Sequence, residues 1–156
     1  MKSHAAVRWT GNLSQGKGQI SSDSGVLQNV SYSAAKRFEG EAGTTPEELM
    51  AAAHAACFSM ALAHEFSKYN IKSIDTSATV SLDKEEGDGW RITSSHLDTE
   101  ADIEGLTDEE FQRGAEVVKS KCPVSRALSI TITMDARLKG QEQQPRANTS
   151  VNPRLT

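Results

Sequence analysis

The chain has 156 residues and a formal net charge of −4, with acidic and basic residues interspersed. This length is most simply one domain with one core, and the charge pattern argues against a nucleic acid or a membrane surface as partner. The start of the chain turns polar before a signal-peptide core is formed, so we expect a cytoplasmic protein.

The first third of the chain predicts three strands, at residues 5–12, 16–25 and 26–34. Gly, Asn and Ser residues between them are typical of turns, so the strands are expected to form a small antiparallel sheet. Residues 36–45 mix charges with two glycines and show no clear period. We predict a loop there, with Arg37 on it, that leads into a central helix.

The central helix has a strong start signal, because Thr45 can act as N-cap, Pro46 suits the first helical position and Glu48 completes a capping box. Residues 49–64 carry no Lys, Arg, Asp or Glu. Apolar and small residues surround the helix, which predicts burial on every side. A domain of this size can hardly cover such a helix alone, so we do not expect a stable monomer. The uncharged run is too short to span a membrane.

Two alternating segments, residues 71–82 and 90–103, predict an antiparallel hairpin. A helix is predicted from Leu106 onward, where Thr107 can cap it and Glu110 occupies the capping-box position.

The chain then predicts a short helix that begins at Cys122 and Pro123, followed by a last strand at residues 130–138. The predicted order is therefore βββ-α-ββ-α-α-β, which is an α+β domain over residues 1–139. Residues 140–156 are polar and contain prolines, so they cannot repay the entropy of ordering and are predicted to be a mobile tail.

Cys57 lies near the middle of the central helix. A buried free cysteine commonly packs as a small hydrophobe, and that reading stays open. A redox role requires a nearby cation, because the thiolate is the reactive form of cysteine. Arg37 is the best candidate for that cation, although a solvated loop charge is the alternative.

Cys122 lies at the start of the short helix, whose dipole favours a thiolate and suits a resolving thiol; a cysteine that merely caps the helix is the alternative. Glu47 either complements the dipole of the central helix or orients Arg37. Ten residues separate Glu47 from Cys57, which is about 15 Å of helix rise, so these side chains of one chain cannot meet. A site that uses both would take its carboxylate from a partner subunit.

His54 lies three residues before Cys57, and with Cys122 these side chains offer three ligands for a metal. The chain has neither a CxxC nor an HExxH pattern, so no metal site is expected. Ser59 lacks the context of a nucleophile elbow, and no phosphate-binding glycine motif is present. We therefore expect no metal and no cofactor.

Four motifs carry a family resemblance: RFEGEAGTTPEELMAAAHAACFSMAL at residues 37–62, SIDTSATVSLDK at residues 73–84, ITSSHL at residues 92–97, and KCPVSRAL around Cys122. On these motifs the chain resembles the OsmC (osmotically inducible protein C) family of thiol peroxidases. Arginine in RFEG is similar to the OsmC branch more than to the organic hydroperoxide resistance branch. The resemblance implies an α+β fold of antiparallel sheets around a long buried helix, and an intertwined homodimer with two active sites at the subunit boundary.

The resemblance also implies the roles of four residues: Cys57 as peroxidatic thiol, Cys122 as resolving thiol, and Arg37 with Glu47 as the paired guanidinium and carboxylate. It implies a thiol-dependent peroxidase that reduces organic hydroperoxides, and hydrogen peroxide, through a sulfenic acid and a disulfide. An external dithiol, for which a dihydrolipoyl protein is a candidate, would reduce the disulfide. The alternative is a non-catalytic, stress-related binding protein in which the helix lines a pocket for an apolar ligand.

Overall fold

The computed structural model of the protein describes residues 1–87 and 89–140. Residues 141–156 lie outside this part, so the division into a domain and a mobile tail stays a prediction. The helices and strands follow one another as β1 (Ala5–Thr10), β2 (Lys17–Ser22), β3 (Val30–Tyr32), α1 (Ala34–Phe38), α2 (Pro46–Glu65), β4 (Asn70–Glu85), β5 (Gly89–Glu104), α3 (Asp108–Lys121), α4 (Pro123–Ala127) and β6 (Thr131–Leu138).

The strands form two three-stranded sheets, β1-β2-β3 and β4-β5-β6. The first sheet is antiparallel, and β4 and β5 form the predicted antiparallel hairpin. The α+β class is confirmed, but β6 differs from the expected antiparallel arrangement because it pairs with β5 in parallel. The two helices α3 and α4 lie between β5 and β6 and supply the crossover that a parallel pair requires.

The predicted loop before the central helix contains a further short helix, α1, and Arg37 lies on it rather than on irregular chain. Ser33 caps α1, because its hydroxyl accepts a hydrogen bond from the backbone N–H of Lys36 at 3.2 Å. Gly40 follows the end of the helix with φ of 75°, which is the left-handed conformation that often terminates a helix. The prediction of a loop was therefore wrong for residues 36–38, which belong to this helix of five residues, whereas residues 39–45 are irregular as predicted.

The central helix α2 begins at the predicted cap, with Pro46 in its first turn and the Thr45 hydroxyl accepting a hydrogen bond from the backbone N–H of Glu48 at 3.1 Å. Among the described residues, the Glu48 side chain does not return the hydrogen bond that would complete the predicted capping box. The complete capping box forms at α3, where Thr107 and Glu110 exchange both hydrogen bonds. Among the described residues, no helix is long and apolar enough to cross a membrane.

One face of α2 packs against β4 and β5, and the opposite face is open in the single chain. Phe58 and Leu62 are fully buried, whereas Met60 is 74% exposed. Ala52 and Ala56 are exposed on the same open face as Met60. The prediction that α2 is buried on every side therefore holds for one face only. An apolar helix face that one chain leaves uncovered is a feature that a second protein surface commonly covers.

The main core lies between α2, α3 and the sheet β4-β5-β6. Its largest fully buried apolar side chains are Phe58, Phe111, Leu62 and Leu97. Gly114 on α3 allows Phe66 at the end of α2 to approach closely, because a Cβ at Gly114 would lie 2.4 Å from the Phe66 ring. This contact sets how closely α3 packs on α2, and so places the residue that ends α3, Cys122.

The sheet β1-β2-β3 lies outside this main core. Its buried apolar residue is Ile20, while Val7 on β1 is 55% exposed. Trp9 and Tyr32 pack together with ring centroids 5.4 Å apart, and the Tyr32 ring covers the small Gly18. A three-stranded sheet with so little buried apolar surface needs further packing to be stable.

Candidate functional site

The two cysteines of the chain meet, although 65 residues separate them. Cys57 lies in α2, and Cys122 lies between α3 and α4. The two sulfur atoms lie 3.3 Å apart, within hydrogen-bond distance, and both cysteines are reduced. Cys122 is fully buried, whereas Cys57 is partly exposed. A disulfide bond is about 2.0 Å long, so a small side-chain movement would join the two sulfurs.

The surroundings of the two thiols shift their pKa values in opposite directions. Burial raises the pKa of Cys57, and the neighbouring Cys122 raises it further, while a hydrogen bond from the Val124 backbone opposes this shift. Burial also acts to raise the pKa of Cys122. It is outweighed by hydrogen bonds from the Ser125 backbone and hydroxyl, the Cys57 thiol and the Val124 backbone, so that the pKa of Cys122 lies below its ordinary value. In the single chain, negative charge therefore resides more readily on Cys122 than on Cys57.

Arg37 and Glu47 form a second close pair at the start of α2. Nε of Arg37 donates to Oε1 and Oε2 of Glu47 at 3.1 and 3.2 Å, and Nη2 also donates to Oε1. The Glu47 side chain is 11% exposed and that of Arg37 is 33% exposed. Such a fork of hydrogen bonds fixes the plane of a guanidinium. Nη1 of Arg37 has no hydrogen-bond partner among residues 1–87 and 89–140, so its two N–H groups are available.

Two aromatic rings lie beside this ion pair. The guanidinium carbon of Arg37 is 5.2 Å from the centroid of the Phe38 ring, and Phe38 packs against Trp90 with centroids 5.1 Å apart. Phe38 is 40% exposed and Trp90 is 53% exposed. The guanidinium of Arg37 is therefore next to an exposed apolar surface formed by these two rings.

The structure does not bring the two pairs together within one chain. Glu47 and Cys57 lie ten residues apart on the same helix, which is about 15 Å of helix rise. The guanidinium of Arg37 is held at Glu47, so it lies in the first turn of α2 and away from Cys57. The four residues that the sequence singles out thus form a dithiol at one place and an ion pair at another.

His54 makes contacts that sequence reasoning did not find. It is fully buried, with Nδ1 2.8 Å from Oγ of Ser95 and Nε2 2.9 Å from Oγ of Ser125. Burial lowers the pKa of His54, which favours the neutral imidazole. Both ring nitrogens are engaged by hydroxyls, so a metal bound by His54 and the thiols would have to displace one of these hydrogen bonds. Ser125 lies in the KCPVSRAL motif and Ser95 in the ITSSHL motif, but no spacing in the sequence indicates that both serines contact His54.

Comparisons with known proteins support one family. The family model described as OsmC-like protein matches residues 38–136, which is more than half of the chain. The chain is 46% identical over 135 residues to Peroxiredoxin OsmC from Escherichia coli (strain K12), covering 85% of this chain and 94% of that protein. It is 35% identical over 125 residues to Organic hydroperoxide resistance protein OhrB from Bacillus subtilis (strain 168), covering 78% and 89%. The crystal structure of that OhrB matches with a TM-score of 0.60 at 31% identity, covering 87% of this chain and 98% of OhrB.

The contact between the sulfurs predicts that one equivalent of peroxide converts the protein to an intramolecular Cys57–Cys122 disulfide. Mass spectrometry of the intact protein should show the loss of two hydrogens, and proteolysis should give one peptide pair joined through these cysteines. The Cys122→Ser protein is the control, and it should instead retain an oxidised Cys57. Two free thiols in wild-type protein after peroxide has been consumed would contradict this prediction.

Proposed function

The chain belongs to the OsmC-like protein family, and on that premise we propose that it is a cysteine-based peroxidase that reduces hydroperoxides and so contributes to stress resistance. The observation that carries this proposal is the pair of reduced sulfurs 3.3 Å apart, one partly exposed and one fully buried. The names of its relatives support the same chemistry, since one is a peroxiredoxin and another an organic hydroperoxide resistance protein. We propose organic hydroperoxides as the substrate class, with hydrogen peroxide as a second substrate.

Exposure decides which thiol meets the peroxide. Cys57 is partly exposed, whereas Cys122 has no exposed surface, so a peroxide reaches the Cys57 sulfur first. The Cys57 thiolate attacks one peroxide oxygen, an S–O bond forms and the O–O bond breaks. The other oxygen leaves and takes up a proton, which gives an alcohol or water. Cys57 becomes a sulfenic acid.

Cys122 then completes the cycle. Its sulfur attacks the Cys57 sulfenic acid, forming the disulfide and releasing water. An external dithiol, for which a dihydrolipoyl protein is a candidate, returns both cysteines to thiols by exchange. The low pKa of Cys122 makes it the better leaving thiol, so the incoming dithiol attacks Cys57 and releases Cys122. We place this cycle in the cytoplasm, a reducing compartment that supplies such dithiols.

Cys57 needs a cation to form the thiolate, since burial raises its pKa, and within residues 1–87 and 89–140 the candidate cation Arg37 is held at Glu47. We propose a homodimer in which the partner subunit's Arg37 and Glu47 lie beside Cys57. Two features of the single chain support it: the uncovered apolar face of α2 around Met60, and the sparsely packed sheet β1-β2-β3. The free Nη1 group would then favour the thiolate and stabilise charge on the leaving oxygen.

A ligand-binding protein with inert thiols is less well supported by this structure. Two surface grooves of the described residues, one that includes Arg91 and Leu128 and one that includes His4 and Asp23, contain no residue of α2. The helix therefore does not line either groove. A binding role also gives no reason for the two sulfurs to be in contact.

Replacing Arg37 by Met tests the role of the cation, because Met keeps much of the apolar stem and removes the guanidinium. Cys57 then keeps a raised pKa, and an ordinary thiol with a pKa of about 8.5 already has only about a few per cent thiolate at neutral pH. Peroxidase turnover should fall by roughly tenfold or more. Raising the pH should restore only part of the rate, since charge on the leaving oxygen is no longer stabilised.

The matched control is Arg113→Met on α3, which removes another arginine that pairs with a carboxylate on the surface. Its turnover should equal that of the wild type. Comparable turnover of Arg37→Met and wild-type protein at neutral pH would show that another group activates Cys57.

Replacing Met60 by Glu tests the dimer, because it places a charge on the open apolar face of α2. Sedimentation of the wild-type protein at low concentration should show a dimer, and Met60→Glu should shift the protein toward monomer and lower turnover. Ser120→Glu on the exposed side of α3 adds the same charge and should leave the dimer intact. A folded, active wild-type monomer at micromolar concentration would rule out the shared site.

A further inference from the structure

A hydrogen-bonded network of buried hydroxyl and imidazole groups ends beside the resolving thiol, Cys122. This network has no part in the attack on peroxide. Ser95 on β5, His54 on α2 and Ser125 on α4 are connected by hydrogen bonds of 2.8 and 2.9 Å. His54 and Ser95 have no exposed surface, and Ser125 is 7% exposed. Ser125 lies three residues after Cys122, in the first turn of α4, and its hydroxyl helps to lower the pKa of Cys122. This hydrogen-bonded network thus connects three elements of the core and ends within one turn of Cys122.

A neutral imidazole has one donor and one acceptor, so the hydrogen bonds of this network run in one of two directions. If Nε2 of His54 donates to Ser125, then the Ser125 hydroxyl donates its own proton to the Cys122 sulfur, and Ser95 donates to Nδ1. If Ser125 donates to Nε2 instead, its oxygen accepts the proton of a Cys122 thiol. The first direction stabilises a thiolate, and the second stabilises a thiol.

We propose that His54 and Ser125 are positioning residues for the resolving step, which hold Cys122 as a thiolate that points at Cys57. The inference rests on the proposed peroxidase function, because it concerns the second step of that reaction. The electron pair of the Cys122 sulfur forms the S–S bond while the S–O bond of the Cys57 sulfenic acid breaks. The departing hydroxide takes up the proton that Cys122 gave up on ionisation, so one water is released.

The position of this hydrogen-bonded network fits a role in positioning Cys122 better than a role in stability alone. Apolar side chains at positions 54, 95 and 125 would fill the same volume without burying an imidazole and two hydroxyls. Ser125 lies one turn after Cys122 on α4, where its hydroxyl and backbone N–H act to lower the pKa of Cys122. Cys57, which reacts with peroxide, makes no hydrogen bond to this network among the described residues except through Cys122.

Replacing Ser125 by Ala removes the hydroxyl of the network that is nearest to Cys122. This change should affect disulfide formation and not the attack on peroxide. In a rapid-mixing experiment with one equivalent of peroxide, consumption of peroxide should match the wild type. Formation of the disulfide should slow by about tenfold or more, since a hydrogen bond to a charged sulfur is lost. The Cys57 sulfenic acid should accumulate and be trapped by a cyclic diketone. Ser125→Thr keeps the hydroxyl and should restore the disulfide rate.

The control Ser59→Ala removes a partly buried hydroxyl of α2 that bonds only to the Ala55 carbonyl oxygen, and it should change neither step. Disulfide formation at the wild-type rate in Ser125→Ala would overturn the proposal. Equal slowing of both steps, with a matching fall in Tm, would also overturn it and leave a structural role.

A second pair of variants covers the case that Ser125→Ala does not fold. His54→Gln retains a donor that can reach Ser125, whereas His54→Leu leaves both serines without a partner. Disulfide formation should be slower in His54→Leu than in His54→Gln, and equal rates in the two proteins would overturn the proposal.

A measurement without peroxide distinguishes failure of the proposed function from failure of this inference. If the wild-type protein consumes no peroxide, the peroxidase function has failed. The inference is then judged by the ultraviolet absorbance of the Cys122 thiolate in Cys57→Ser protein at neutral pH. Adding Ser125→Ala should reduce this absorbance several-fold, as expected when a charge-stabilising donor is lost, and unchanged absorbance would overturn the inference.

Discussion

The length of α2 between Glu47 and Cys57 is the constraint on which the organisation of the site depends. A continuous helix holds these residues about 15 Å apart along its axis. Arg37 is tied to Glu47 by a fork of hydrogen bonds, and Cys122 is in contact with Cys57. Within the part of the chain that the structure describes, the candidate cation Arg37 is therefore separated from the two thiols. Because the helix cannot bend to join them, the proposed site takes its cation from a second chain.

The two thiols are suited to different steps by exposure and by hydrogen bonding. Cys57 is accessible, yet burial raises its pKa, so it depends on a charge brought to it. Cys122 is inaccessible but ionises more readily, because the Ser125 backbone and hydroxyl and the Val124 backbone donate to its sulfur. A thiol of this kind does not meet peroxide but can attack a sulfenic acid and leave easily during reduction. We expect activity to be low in an isolated chain for this reason.

Signals within a few residues predicted the parts of the fold that local chemistry controls. Thr45 and Thr107 cap their helices as expected, because an N-cap depends on residues within one turn. Helix α1 had such a signal in Ser33 and Gly40, but the charges and glycines of residues 36–45 favoured a loop. The direction of β6 depends on how α3 and α4 pack, and the contact of His54 with Ser95 joins residues 41 apart in sequence. The expected burial of α2 on every side is not reached within the described residues, because a local pattern shows that a face is apolar and not what covers it.

The most direct test of a site shared between two chains uses a mixed dimer in which one subunit carries Arg37→Met and the other carries Cys57→Ser, purified through two different affinity tags. If Arg37 acts on the partner's Cys57, one of the two sites is complete, and each mixed dimer should have about half of the wild-type turnover. Both parent homodimers should have little activity, which makes the gain easy to measure. If Arg37 acts within its own chain, neither site is complete. Turnover of the mixed dimer no higher than that of its parents would therefore contradict this account.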